Sequence, residues 1–178
     1  AAWLRRVWDA ACGAADGGAG RAVPLVLDAD ALNMLAEADD FAAWPRRPEG
    51  SPAVLTPHPG EMARLARMST AEVQRDRIGV ARDYAARHGV VLVLKGAATV
   101  TALPDGAVYV NTTGNPGMAT GGSGDVLAGV IGSLLAQGMP PGTAAAFGAW
   151  LHGAAGDRAA AARPSRASLI AGDIIEHL

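Results

Sequence analysis

The residues whose types and spacing could do chemistry are concentrated in one stretch. Asn111-Thr112-Thr113-Gly114-Asn115-Pro116-Gly117-Met118-Ala119-Thr120-Gly121-Gly122-Ser123-Gly124-Asp125 runs straight into the apolar pattern VLAGVIGSLLAQG. Backbone N–H groups at a helix start have no intrahelical partner, and the helix dipole favours negative charge there. Glycines let the main chain approach a ligand with no Cβ in the way. Gly122, Ser123 and Gly124 therefore read as N–H donors to a phosphate or a developing oxyanion. A Gly-rich turn entering a buried helix is the plainer alternative. Asp125 favours the chemical reading, because a carboxylate at an anion site repels its ligand unless it does acid–base or metal work. No Lys follows the glycines, so this is not the GxxxxGK loop, and the third glycine of the dinucleotide fingerprint is missing. What remains suits phosphoryl transfer by backbone amides plus a carboxylate base.

Three further segments place polar groups at the ends of apolar runs. Val90 to Leu94 ends in Lys95-Gly96-Ala97-Ala98-Thr99, where the only lysine of the chain emerges beside a glycine. A lysine stem snorkelling along apolar surface would explain it structurally; its place at a strand end points to nucleotide contact. Ala53 to Thr56 leads into Pro57-His58-Pro59-Gly60-Glu61. Two prolines hold His58 in a rigid turn suited to ligand contact, and Glu61 fits a first-turn charge complementing the helix dipole. Val23 to Leu27 ends in Asp28-Ala29-Asp30. Those carboxylates emerge where open α/β sheets place ligands, although one of them, Asp30, also suits the cap of the following helix. His152, on an apolar helix, reads as a satisfied core histidine. Cys12, in an Ala/Gly-rich helical stretch, reads as a small buried or half-buried thiol rather than a nucleophile.

The elements that must position these groups alternate between short buried runs and helical patterns. AAWLRRVWDAACGAADGG is amphipathic, with Leu4, Val7, Trp8 and Ala11 on one face. Pro24 sets the first strand's beginning near residue 24 or 25. Residues 38–52 form a surface connection anchored by Trp44. Ser69 to Glu72 is a capping box that opens one long helix, VQRDRIGVARDYAARHG, buried through Ile78, Ala81 and Ala85 and stopped by Gly89. The charges on that helix read as a solvated face. Pro104-Asp105-Gly106 joins a hairpin of Val100 to Leu103 and Ala107 to Val110. After the Gly-rich loop, Val126, Leu127, Val130, Ile131, Leu134 and Leu135 make one apolar face. Ala128, Gly129, Gly132 and Ser133 offer close approach. Residues 143–162 read as a buried helix and ASLIAGDIIEHL as a last one.

Bulk properties narrow the classes. The 178 residues suit one domain with a sizeable core. Half are apolar, and a formal net charge of −2 leaves no face basic enough for nucleic acid. No apolar run is long enough to span a membrane. A single cysteine fits a reducing, cytoplasmic compartment. Fourteen arginines against one lysine are the mark of a GC-rich genome.

Together, LDADAL, LTPHPGE, VLKGAAT and NTTGNPGMATGGSGDVL resemble the NAD(P)H-hydrate dehydratase family over nearly the whole chain. The resemblance implies an α/β, ribokinase-like, three-layer αβα fold with a mostly parallel sheet. Residues 1–178 would form a single domain lacking its N-terminal third and the first strands. It implies repair of hydrated NADH or NADPH: a nucleoside phosphate phosphorylates the ring hydroxyl, phosphate leaves, and NAD(P)H is regenerated. The GC-rich composition favours the prokaryotic, ADP-dependent form over the ATP-dependent one. Asp125 would activate the hydroxyl, with Gly122, Ser123 and Gly124 presenting N–H groups to the phosphoryl. His58, Asp125 and Asn115 would contact the hydrate, and Lys95, Gly96, Ala97, Ala98, Thr99 and Gly124 the adenine nucleotide. Mg2+ would neutralise phosphate charge; its ligands are unassigned, with Asp28, Asp30 and Glu61 as outer contributors. A homo-oligomer is expected. Two other readings stand beside this one: a small-molecule kinase of the same superfamily, such as a hydroxyethylthiazole kinase, and a fragment that binds nucleotide without turnover.

Overall fold

A computed structural model describes residues 2–13, 22–48 and 50–178. Its centre is a sheet of five short strands in the order β1-β2-β3-β4-β5: β1 (Val26–Leu27), β2 (Val54–Leu55), β3 (Val91–Leu94), β4 (Val100–Ala102) and β5 (Val108–Val110). β1, β2 and β3 are parallel, in the register Val26–Val54–Val91. β4 and β5 continue the sheet as an antiparallel hairpin, with Leu94 opposite Val100 and Val100 opposite Val110. The hairpin expected around Pro104-Asp105-Gly106 is therefore present.

Side chains alternate across a strand, and that alternation builds two cores. Leu27, Leu55, Leu92 and Leu94 face one side, toward α1 (Ala2–Ala11), α2 (Asp30–Ala36), α3 (Pro59–Ala66), α4 (Thr70–Arg75) and α5 (Arg77–His88). Val54, Val91 and Val93 face the other, against α6 (Ser123–Ala136) and α7 (Pro141–Ala161). All four residues of β3 are buried, each contributing about 1.5–3 kcal/mol of apolar transfer energy. This central strand is the rigid base from which Lys95 leaves. A final helix, α8 (Ala171–Ile175), packs through Ile174 beside α7. Trp44 anchors the 38–52 connection, edge-to-face on Phe41 and Trp8.

Several expectations need correcting. β1 begins at Val26, slightly later than the start near residue 24 or 25 that Pro24 suggests. The long helix after Ser69 is two helices. The capping box of Ser69 and Glu72 opens α4, but the chain breaks at Asp76 (φ −141°, ψ 68°), whose carboxylate accepts from Gly79 N–H and caps α5. The apolar spacing runs through this break, so periodicity could not reveal it; the D-R-I-G sequence is the local cue. Ile78, expected inside, is 41% exposed, while Ala81 and Ala85 are fully buried. ASLIAGDIIEHL is helical only over α8, preceded by a 3-10 turn at Arg166–Ser168. The close approach expected along α6 is made by α7 instead. A Cβ at Gly129 or Gly132 would meet nothing, whereas one at Gly148 would stand 2.9 Å from Ile131 Cγ1. The end of the N-terminal helical pattern, residues 14–18, falls outside the described residues.

Candidate active site

Parallel strands deliver their C-terminal ends to one edge of the sheet, and three of the singled-out segments meet there. Asp28 follows β1, His58 and Glu61 follow β2, and Lys95 follows β3. Lys95 Nζ donates to Asp28 Oδ1 at 2.7 Å and lies 3.9 Å from Glu61 Oε2. These side chains are mostly buried, with Lys95 20% and Asp28 14% exposed. An ammonium between two carboxylates in a partly desolvated setting is held in place as well as neutralised.

Glu61 and His58 are tied to each other by a capping box at the start of α3. The His58 backbone N–H donates to Glu61 Oε2 at 2.7 Å. His58 Nδ1 accepts from Gly60 N–H at 3.0 Å and Glu61 N–H at 3.3 Å. Two donated bonds at Nδ1 leave the ring proton on Nε2, which faces Glu61 Oε1 at 3.5 Å. The first-turn role expected of Glu61 is thus present, and His58 keeps one donor, Nε2–H, on its half-exposed side. Asp30 does not cap α2: the N-cap is Ala29, without a side-chain cap bond, and Asp30 is the first helical residue. Ala29 sits at φ +50°, a conformation that costs about 1–3 kcal/mol in a non-glycine residue. The strain falls between Asp28, fixed on Lys95, and the start of α2.

The Gly-rich loop closes on the same edge. α6 begins at Ser123, with Gly122 as a left-handed N-cap (φ +84°). The Ser123 N–H, expected as a phosphoryl donor, is instead taken by Thr120 O at 3.3 Å, and among the described residues no backbone bond is donated by the N–H of Gly121, Gly122, Gly124 or Asp125. These are the free donors an anion site requires. A Cβ at Gly124 would lie 3.3 Å from Lys95 Nζ and 3.7 Å from Asp28 Oδ2, so the helix start and the lysine are neighbours. Asp125 is exposed in the first turn of α6. Ser123 is buried, its Oγ 3.4 Å from His152 Nε2. Burial pushes the His152 pKa down, so its ring stays neutral. His152 is therefore a core histidine, as expected, but one that touches the helix start.

Asn115 is occupied by the protein itself. Its amide donates to Gly156 O at 3.0 Å and Asp157 Oδ1 at 2.9 Å, and its Oδ1 accepts from Gly117 N–H. Asp157 also accepts from Gly114 N–H at 2.8 Å. In this conformation Asn115 shapes the loop against α7. Asp157 was not singled out in the sequence, and nothing local marks it, because its partners lie more than forty positions earlier.

The loop after β3 carries the other residues assigned to the nucleotide. Gly96 has φ +142° and Ala98 φ +53°; Thr99 Oγ1 donates to Gly96 O at 3.1 Å. No backbone bond among the described residues is donated by Gly96, Ala97 or Ala98. The second residue missed in the sequence is Arg77, whose guanidinium donates to the carbonyls of Leu94 at 3.0 Å and Lys95 at 3.4 Å. It does not belong to the solvated face expected of its helix.

The described residues contain no group of three or more His, Cys, Asp or Glu side chains able to hold a metal. Asp28 and Glu61 direct oxygens at Lys95 and the His58 N–H. An all-protein Mg2+ cage therefore does not fit; Mg2+ is commonly bound through substrate phosphates with one or two carboxylates and waters. Among the described residues, no helix is long and apolar enough to cross a membrane.

Comparison with known proteins identifies the family. Residues 12–177 match the family described as NAD(P)H-hydrate dehydratase. A bifunctional NAD(P)H-hydrate repair enzyme of Moorella thermoacetica is 56% identical over 156 residues, covering 88% of this chain and 28% of that protein. An ADP-dependent (S)-NAD(P)H-hydrate dehydratase of Neisseria meningitidis is 51% identical over 154 residues, covering 85% of this chain and 50% of that protein. The crystal structure of the ADP/ATP-dependent NAD(P)H-hydrate dehydratase from Bacillus subtilis, co-crystallised with ATP/Mg2+, superposes with a TM-score of 0.77 at 37% identity. It covers 86% of this chain and 52% of that one. The ribokinase-like fold is shared with a protein of that superfamily from Enterococcus faecalis, at 26% identity and a TM-score of 0.70 over 97% of this chain and 58% of that one. The chain thus spans about half, or less, of the length of these relatives.

Proposed function

The chain belongs to the NAD(P)H-hydrate dehydratase family, and from that premise we propose that it carries the phosphoryl-transfer part of a hydro-lyase that converts hydrated NADH or NADPH back to NAD(P)H. The observation that carries this reading is the junction of Lys95, Asp28 and Gly124 at the start of α6. It sets an ammonium beside a helix start whose Gly122, Gly124 and Asp125 N–H groups donate no backbone bond among the described residues, and Asp125 belongs to that same first turn.

In the proposed sequence the ring hydroxyl of the hydrate attacks the terminal phosphorus of the nucleotide while Asp125 takes its proton. The nucleotide leaves with one phosphate fewer, AMP from ADP. The N–H groups of Gly122, Gly124 and Asp125 receive the equatorial phosphoryl oxygens, whose charge they meet without reorganising. The ring C–O bond then breaks as phosphate departs, the neighbouring ring carbon gives up a proton to solvent or to the departing phosphate, and the new C=C bond restores the reduced nicotinamide. Lys95 and the loop through Gly96, Ala97, Ala98 and Thr99 hold the nucleotide. His58 Nε2–H donates to the hydrate, and Asn115 keeps the loop in shape. Mg2+ held through the nucleotide phosphates would supply charge neutralisation. ADP is the expected phosphoryl donor, in line with the ADP-dependent Neisseria relative.

The test is to incubate the chain with hydrated NADH, Mg2+ and either ADP or ATP, following the near-ultraviolet absorbance of reduced nicotinamide alongside nucleotide binding by calorimetry. Nucleotide-dependent recovery of NADH, faster with ADP, supports the full reading. Binding without recovery reduces this chain to the nucleotide half of the site, and absence of both refutes the proposal.

A further inference from the structure

We infer that Arg77 is a positioning residue for the nucleotide-binding loop, an inference that rests on the function proposed above. β3 ends at Leu94, and the chain must turn at once to carry Lys95 toward Asp28. At that point the carbonyls of Leu94 and Lys95 both accept from Arg77 Nη2, at 3.0 and 3.4 Å. Buried or half-buried carbonyls need partners, and the planar guanidinium supplies several donors in fixed directions, which an ammonium cannot do.

Two further observations tie Arg77 to the loop rather than to general stability. A Cβ at Gly96 would stand 2.7 Å from Arg77 Nη1, so the guanidinium occupies the space that only a glycine leaves open. Fixing the Lys95 carbonyl also fixes the Lys95–Gly96 peptide plane. That sets the direction of the Gly96 N–H, the first of three N–H groups, with Ala97 and Ala98, that donate to no described residue. Meanwhile the Lys95 N–H is pinned to Pro57 O at 2.8 Å. The loop is thus clamped at both atoms of its first residue, and Arg77 adds positive charge next to it. Arg77 itself is oriented by Gln74 Oε1, which accepts from Nη1 at 3.0 Å. The break at Asp76 starts a new helix, α5, at Arg77; with α4 uninterrupted, this side chain would leave from another direction.

The test measures ADP affinity by calorimetry and thermal stability on the same samples, at a temperature where each variant is folded. Arg77→Met should weaken ADP binding about 10- to 100-fold, and in the turnover assay raise the nucleotide KM with kcat largely kept. Millimolar guanidinium ion should restore part of the affinity, and Arg77→Lys should fall between. Gln74→Leu, at an exposed position, should give a smaller loss of the same sign and decides the matter if Arg77→Met does not fold. A lower melting temperature with ADP affinity within twofold of wild type would reduce Arg77 to a structural role and overturn the inference. A wild-type chain that binds no adenine nucleotide would overturn the function reading itself, a result distinct from the first.

Discussion

Replacing Gly153 and Gly129 separately by alanine tests how the Gly-rich loop is held. Both lie inside long helices, α7 and α6, and Ala exceeds Gly in helix propensity by about 0.8–1.0 kcal/mol. Propensity alone therefore predicts equal stabilisation. The surroundings differ. A Cβ at Gly129 meets nothing within 4 Å, so Gly129→Ala should gain close to the full amount. A Cβ at Gly153 would overlap Thr113 Oγ1 and stand 2.8 Å from the Thr113 carbonyl carbon and 2.9 Å from its oxygen. A side chain could swing away; backbone cannot. Thr113 is in turn fixed by its backbone N–H, which donates to Asn111 Oδ1, and by its hydroxyl, which donates to Trp150 O. Overpacking of this kind costs roughly 1–3 kcal/mol, and because the propensity gain is shared and cancels, the two variants should differ by about that amount. At roughly 2–4 °C per kcal/mol for a chain this size, Gly129→Ala should melt a few degrees above wild type and Gly153→Ala at or below it. Paired denaturant and thermal melts measure this. Gly153→Ala matching Gly129→Ala would refute the claim that the loop lies directly on the α7 backbone.

Three further predictions address charge. Asp125→Asn should abolish turnover while leaving ADP affinity within a few-fold; retained turnover would remove Asp125 from the mechanism. Asp28→Asn removes a pair whose gross attraction at 2.7 Å is about 6 kcal/mol at an effective dielectric near 20. Because Glu61 remains 3.9 Å from Lys95, the net loss should be only about 1–3 kcal/mol, less than for an isolated buried charge; urea melts check this, and an unchanged midpoint would count against the pair. Burial lowers the pKa of His152 and, together with Arg87 and Arg46, that of His88. The unfolded chain then binds more protons than the folded one below about pH 6.5. Stability should fall as pH drops from there toward the folded pKa values, and His152→Gln should flatten that slope; an identical slope in the variant would show that His152 does not stay neutral.

The sequence alone determined what short-range chemistry and period determine. A continuous apolar run ending in Lys95 had to be a buried strand with a polar exit. Glycines ahead of an apolar helix had to leave free N–H groups at its start. The two prolines around His58 and the Ser69–Glu72 box set local backbone that no partner could override. The motifs of these segments also determined the family, because their combination is specific even where each alone is not. The tertiary structure decided everything that depends on distant partners. Asp28 and Lys95 are 67 positions apart, and only the parallel register of β1, β2 and β3 makes them an ion pair. Asp157 holds Asn115 because α7 lies under the loop, and the glycines that permit this are on α7 rather than on α6. Arg77 left the solvated face because Asp76 broke a helix whose apolar spacing continued without interruption. The physical reason is common to these cases: periodicity and capping are properties of neighbours in the chain, whereas an ion pair, a close backbone approach and a buried carbonyl's partner exist only once separate elements share one edge of a sheet.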